Sequence, residues 1–406
     1  MKRVLIFSLN YYPRFIGGAE VAIKEITDRI PAEEIEFHLL SLRFDSELPE
    51  EERIGNVVVH RIGKSVPHPS IADLRKPPLD GQKRWYQFGA FFAANRLHRK
   101  YRFDGIWAMM AHSAGIPAGL FKTFHPQVKY LLTLQEGDPP EYIEKLARPV
   151  WPLFARAFTT ADAMQTISTF LYRWGIRRGF SGYSEVIGNG VDIARFSHPY
   201  PAEEIDSMKT KLDKKESDVF LITTSRLVEK NAVDDVIRAL PMLPEQVAFL
   251  IYGIGPDEEK LKKLAKELGV EDRARFMGEI RHQDLPLALS ACDIFIRPSR
   301  SEGMGISFVE AMATGLPVIA TQEGGIADFL FDAKRNPDKS TTGYAVDKDS
   351  PEQIAEAVKE ILADPAQVAR VTQQAEKMVI EQYDWVTIAS RMRALFARLL
   401  GDTIDR

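Results

Sequence analysis

The strongest constraint on the fold is an alternation, run twice, of short apolar segments with stretches whose apolar residues recur at helical spacing. Residues 4–9, 36–40, 57–62, 105–109, 129–134, 164–167 and 184–187 read as strands, with helical patterns between several of them, as at 19–30 and 85–100. Such an alternation predicts a parallel sheet covered by helices on both faces. The pattern then restarts. Residues 219–223, 247–252, 274–277, 294–296 and 318–320 form a second set of strands, with helical patterns at 231–240, 257–268, 283–290 and 306–314. The polar, charged stretch 197–218 follows the break, placing the domain boundary near residues 189–192. Residues 351–400 read as two or three helices with no further strand. The last, about 386–400, is amphipathic and must bury its apolar face. At 406 residues the chain exceeds one ordinary core. The prediction is α/β: two Rossmann-like, doubly wound domains, 1–190 and 191–380, and a helix in 381–406 that packs back on the first. Ligands are expected in the cleft between the two sets of strand ends.

Composition narrows the function. Hydrophobic and charged fractions of 45% and 27% belong to a globular protein. A net charge of −4 gives no whole-chain basic field for nucleic acid. Cys292 is the only cysteine, so neither a disulfide framework nor a cysteine-rich zinc site fits. The apolar start, Val4 to Leu9, is short and runs at once into Asn10, Pro13 and Arg14, which favours a buried first strand over a signal peptide. No apolar run approaches the roughly 20 residues of a membrane span. The cytoplasm, or its membrane surface, is the expected location.

The most informative stretch is PSRSEGMGISFVEAMA at 298–313, which follows a strand and opens a helix. Gly303 and Gly305 permit close backbone approach, and the free amides of a helix start suit an anion. Glu302 and Glu310 flank the turn, with Glu310 expected about two turns into the helix. Carboxylates beside a phosphate cradle suit hydrogen bonds from sugar hydroxyls. In the first half, Gly17 and Gly18 follow the first strand, where they can present amides to phosphate or to an acceptor. This loop matches neither a dinucleotide fingerprint nor a P-loop.

The run at 298–313 resembles the E-x7-E segment of the retaining glycosyltransferases of family 4, which adopt the GT-B fold. Residues 315–321 and Gly324, Gly325 and Ile326 continue the likeness downstream. SRLVEK at 225–230, YGIGP at 252–256, FMGE at 276–279 and IGNGVD at 187–192 continue it upstream. The resemblance implies transfer from a nucleoside-diphosphate sugar to a hydroxyl of a polysaccharide, lipopolysaccharide or glycolipid precursor. It implies retention of configuration, no metal and no cofactor. Arg226 and Lys230 would hold the diphosphate, Glu310 the ribose, and Glu302 the transferred sugar. The amides of Gly303, Met304 and Gly305 would lie near that sugar, and Ile306 and Ser307 close to the diphosphate. Gly253 and the segment with Gly278, Ile280 and Arg281 would meet the nucleoside, and Gly17 and Gly18 would reach the donor. Glu302, Arg226, Lys230 and His112 are the catalytic candidates. His112, Gln135 and Glu136 are the acceptor-side candidates. With no evident nucleophilic carboxylate, front-face attack assisted by the leaving diphosphate is the expected route, with domain closure excluding water. The family's His-x-His falls on Trp107 and Met109, which supports one alternative, a donor-binding scaffold without catalysis; the other, another GT-B enzyme such as a sugar-nucleotide epimerase or a phosphorylase, is opposed by the Glu302–Glu310 run with Arg226 and Lys230.

Two further features are read as structural. Asp347 and Asp349 spell D-x-D but precede a helix, so capping or solvation is expected. Between Arg75 and Arg102, eight cations accompany Trp85, Tyr86, Phe88, Phe91 and Phe92, with Asp80 the only acid. The first expectation is a helix with its aromatics in the core and its cations in water. The alternative is contact with an anionic membrane surface.

Overall fold

Lys2–Phe7 (β1) carries the chain's first apolar run into the middle of a sheet, where Val4 through Phe7 are all buried. The computed structural model describes residues 1–14, 16–70 and 73–401. Phe15, the side chain of Arg75 and residues 402–406, all within segments singled out above, lie outside the described residues. The chain divides into two compact units, Met1–Asn189 with the chain from Trp385, and Gly190–Asp384.

In the first unit β1 is followed by α1 (Gly18–Thr27), β2 (Ile35–Leu42), β3 (Glu51–Ile54), β4 (Val57–Ile62), α2 (Gln82–Tyr101), β5 (Gly105–Met109), α3 (Ile116–Phe124), β6 (Lys129–Leu134), α4 (Pro140–Ala147), α5 (Trp151–Thr159), β7 (Ala163–Thr166), α6 (Thr169–Arg177) and β8 (Tyr183–Val186). The sheet order is β3-β4-β2-β1-β5-β6-β7-β8. All pairs are parallel except β3 with β4. β3 was not expected from the sequence. Its residues, Glu-Glu-Arg-Ile, are mostly charged because it is an edge strand, turned back at Gly55 with a φ of 58°. The central strands are buried on both faces, which is why β5 reads as a continuous apolar run.

The second unit contains α7 (Ile193–Phe196), α8 (Ala202–Lys211), β9 (Val219–Thr224), α9 (Val233–Ala239), β10 (Val247–Tyr252), α10 (Glu258–Glu267), β11 (Ala274–Gly278), α11 (Leu285–Ser290), β12 (Ile294–Arg297), α12 (Ile306–Ala313), β13 (Val318–Ala320), β14 (Tyr344–Ala345), α13 (Pro351–Ala363) and α14 (Pro365–Gln382). Its parallel sheet runs β11-β10-β9-β12-β13-β14. The two-residue β14 is too short to leave a sequence signal. The polar connector at 197–218 holds α8, none of whose residues is buried.

The last helix, α15 (Trp385–Leu400), belongs to the first unit. It buries Trp385, Ile388, Met392, Leu395, Phe396 and Leu400. The Phe396 ring lies 5.7 Å from Phe37 and 5.3 Å from Trp107. Arg391 donates to Glu185 Oε1 at 3.0 Å and to the Val186 carbonyl at 2.7 Å.

Each sheet changes its winding direction once. In the first the chain moves outward from β1 through β2 and β4, then resumes on the other side at β5. In the second it moves from β9 through β10 and β11, then resumes at β12. Loops leaving strands on either side of such a reversal diverge and open a crevice at the carboxyl ends of the strands.

Candidate functional site

The loops after β9 and β12, which flank the reversal of the second sheet, carry most of the residues expected to hold a donor. They are fastened together. Arg300 N donates to the Lys230 carbonyl at 2.7 Å, and Arg300 Nη1 donates to the Glu229 carbonyl at 2.7 Å. The Arg300 guanidinium is also paired with Asp234 and Asp235, each at 2.9 Å, and with Asp349. It is therefore a structural clamp, held by three carboxylates and a main-chain carbonyl. Arg226 is exposed, and its carbonyl accepts from Asn231 Nδ2 at 2.7 Å. Lys230 is half-buried.

The loop after β10 closes against them. Gly253, with a φ of 137°, passes so near the first loop that a β-carbon there would lie 1.8 Å from the Ser225 carbonyl oxygen. Only glycine fits. Gly253 N donates to the Gly278 carbonyl at 2.8 Å, bringing in the loop after β11. Ile280 is half-buried there, and the Arg281 side chain is paired with Asp284.

Gly303 and Met304 are buried, and Gly305, with a φ of 85°, caps α12. Because α12 begins only at Ile306, Glu310 stands a little over one turn into it, not about two. Its carboxylate is buried, with His282 Nε2 2.8 Å from Oε1. Glu302 is held from two sides. Its Oε1 accepts from Gly303 N at 3.0 Å, and its Oε2 accepts from Arg297 Nη2 at 2.6 Å. Arg297 Nη1 donates to Ser307 Oγ at 2.8 Å. The structure thus gathers Arg226, Lys230, Gly253, Gly278 and residues 302–310 at one end of one sheet.

The first unit repeats the layout with different chemistry. Gly17 caps α1, where its N–H donates to the Glu20 carboxylate at 2.8 Å, and Gly18 is the first helical residue. Both glycines are exposed. His112 sits across the reversal, after β5, in a single π-helical turn at Ala111–Gly115. Met110 enters that turn with a φ of 73°, unusual for a side chain of its size. Burial lowers the His112 pKa, favouring the neutral ring. Glu136, at the end of β6, is buried, and its Oε1 accepts from Ala111 N at 2.6 Å. Burial pushes this carboxyl up to about 7, against the pull of the backbone amides that face it. Gln135 Nε2 donates to Asn189 Oδ1 at 3.1 Å. Trp107 and Met109 are core residues, and Trp107 Nε1 donates to Thr133 Oγ1 at 2.7 Å.

The expected orientation of the α2 aromatics is corrected by the structure. Tyr86 is buried and Phe91 partly so, but Trp85, Phe88 and Phe92 are 48%, 46% and 69% exposed. Positions 85, 88 and 92 share one helical face with Arg84, Arg96 and Arg99. The inward face is filled by Tyr86, Ala90, Ala94 and Leu97, the two alanines allowing close packing, while Gly89 lies under the Trp85 ring. In the D-x-D segment, Asp347 is paired with Arg335 and Asp349 with Arg300, and Ser350 holds the cap position of α13 without a side-chain bond.

Sequence reasoning gave no role to Arg297 or His282. Arg297 ends an apolar strand, where a charged residue next to a proline is the only signal. His282 follows Arg281 in a polar loop and carries none.

Two family models match the chain: Glycosyl transferases group 1 over residues 204–378, and Glycosyltransferase Family 4 over residues 16–195. The chain is 27% identical over 414 residues to the GDP-mannose-dependent alpha-(1-6)-phosphatidylinositol monomannoside mannosyltransferase of Mycobacterium tuberculosis, with 97% of each covered. It is 26% identical to the D-inositol 3-phosphate glycosyltransferase of Streptomyces avermitilis, over 92% of this chain and 81% of that one. Among solved structures, sucrose-phosphate synthase from Thermosynechococcus elongatus superposes with a TM-score of 0.80 at 20% identity, covering 99% and 100% of the two chains. Anabaena HepE in complex with UDP-glucose superposes at 0.76 and 19% identity, covering 98% and 100%. At these identities the structural likeness carries the fold, which is GT-B.

Proposed function

From the premise that this chain belongs to glycosyltransferase family 4 and is a nucleotide-sugar glycosyltransferase, we propose that it moves a hexose from a nucleoside-diphosphate sugar to a hydroxyl of a lipid-linked acceptor. The transfer retains configuration and needs no metal. The observation behind the reading is the meeting of the Arg226–Lys230 loop and the Glu302–Glu310 turn at the reversal of the second sheet, joined through Arg300. Arg226, Lys230 and the amide end of α12 offset the charge that builds on the leaving diphosphate. Glu310, steadied by His282, accepts the ribose hydroxyls, and Glu302 accepts hydroxyls of the hexose. The acceptor oxygen bonds to the anomeric carbon as the bond to the diphosphate breaks. The acceptor proton passes to a diphosphate oxygen on the same face, so no protein nucleophile is needed.

The first donor to test is GDP-mannose, the substrate named for the full-length Mycobacterium relative. One of GDP, UDP and ADP should raise the unfolding temperature by several degrees at saturation, since about 2.7 kcal/mol is gained at a hundredfold excess over Kd. The matching sugar nucleotide should then give an α-linked product in the presence of EDTA. If none of the three nucleotides stabilises the protein, the reading fails.

A lipid-linked acceptor is supported by α2. Gln82 to Arg102 contains no acid, and its exposed face sets Trp85, Phe88 and Phe92 between Arg84 and Arg96. Among the described residues no helix is long and apolar enough to cross a membrane. An aromatic stripe edged by cations suits the cytoplasmic face of an anionic leaflet. Phosphatidylglycerol vesicles should sediment the protein and phosphatidylcholine vesicles should not. The triple change Trp85→Ser, Phe88→Ser, Phe92→Ser should weaken that partition about tenfold or more. Equal sedimentation by both lipids, or by protein and variant alike, would remove this support.

A further inference from the structure

Arg297 occupies an unusual place for a cation. It ends β12, beneath the turn formed by Glu302 to Gly305, with only 7% of its side chain exposed. Its guanidinium bonds Glu302 Oε2 at 2.6 Å and Ser307 Oγ at 2.8 Å, and reaches the Thr224 carbonyl at 3.5 Å. It lies 4.2 Å from the centroid of the Phe308 ring, and its Nε is buried without a partner among the described residues. Gly305 makes the room, since a β-carbon there would stand 2.5 Å from Nη2. Burial lowers the Arg297 pKa, while Glu302 and Glu310 pull it back up.

A buried ion pair is a poor stabiliser. Desolvating two charges costs several kcal/mol, and apolar replacements of similar volume are often as stable or more so. The pair is better explained by what it does to Glu302. One carboxylate oxygen is fixed by Arg297 and the other by Gly303 N, so the carboxylate plane cannot rotate. Each oxygen keeps a lone pair, and the Glu302 side chain keeps 13% exposure through which to use it.

We propose that Arg297 is the positioning residue of the donor site, locking the Glu302 carboxylate in the plane that receives hydroxyls of the transferred sugar. Through Ser307 it ties the first turn of α12 to the same carboxylate, so the sugar and diphosphate halves of the site share one anchor. This rests on the sugar-nucleotide reading above.

The test compares Arg297→Leu, Arg297→Lys and the double change Arg297→Leu, Glu302→Leu. The assays are calorimetric binding of GDP, UDP and ADP, and release of nucleoside diphosphate from GDP-mannose, UDP-glucose and ADP-glucose. Arg297→Leu should bind the nucleoside diphosphate within about threefold of the parent yet lose about a hundredfold or more in kcat, as expected when an oriented group is freed. Arg297→Lys should recover about tenfold or more of kcat, since it restores the charge without the fork. The double variant should regain the parent's unfolding temperature and remain inactive. A kcat in Arg297→Leu within about threefold of the parent would overturn the proposal. So would a parallel loss of nucleotide binding and stability that the lysine does not rescue. If the parent binds none of GDP, UDP and ADP, it is the sugar-nucleotide reading that falls.

Discussion

Lys230→Ala and Glu310→Ala are each expected to lower kcat/KM for the donor about 30- to 150-fold while leaving the fold intact. Lys230 supplies a charge-assisted hydrogen bond to a diphosphate in a site partly shielded from water, a class of contact worth about 2–3 kcal/mol. That range converts to the stated fold-change. The Lys230 side chain is not part of the core, and its main chain stays fixed by Arg300, so truncation removes a ligand contact without releasing the loop. Glu310→Ala should act with similar size through the ribose. Its partner His282 is more than half exposed and can turn to water, so little stability should be lost with it. The two effects should appear mainly as weaker donor binding. Michaelis constants with nucleoside diphosphate as competing ligand will show this. Parent-like kinetics in both variants, with native circular dichroism, would mean that the site lies elsewhere.

Phe396→Ala should destabilise the first unit by about 3–4 kcal/mol, the usual cost of emptying a buried aromatic site. Phe396 is 1% exposed and bridges Phe37 of β2 and Trp107 of β5, so neither sheet nor helix can collapse into the gap without moving the other. At about 2–4 °C per kcal/mol for a unit of this size, the unfolding transition should fall by roughly 6–16 °C. Scanning calorimetry should move the transition of the first unit and leave that of the second. A shift below about 1 °C would show that α15 merely rests on the surface.

The fold was legible where one physical rule dominated. Central parallel strands are buried on both faces, so β1, β5, β6, β9 and β10 appear as bare apolar runs. β3 was not, because an edge strand is stabilised by its neighbour and keeps its charges in water. The number of rings in α2 suggests a core helix, but their angular position around it decides which of them are buried. Ala90 and Ala94 let the helix sit close on the sheet, and the large rings of Trp85, Phe88 and Phe92 are left facing outward. In the site, residues on loops after strands could be found from glycines and paired charges. Arg297 could not, because its partners, Glu302 and Ser307, become neighbours only when the turn folds beneath Gly305. His282 is linked to Glu310 across 28 residues by the arrangement of β11 and α12, which no local pattern encodes.

The first unit borrows its closing helix from the far end of the chain, so its interior lacks Trp385, Met392 and Phe396 until residues 190–384 have already been translated. During synthesis the middle of the polypeptide can finish folding while the beginning still waits with an open apolar groove between β2 and β5.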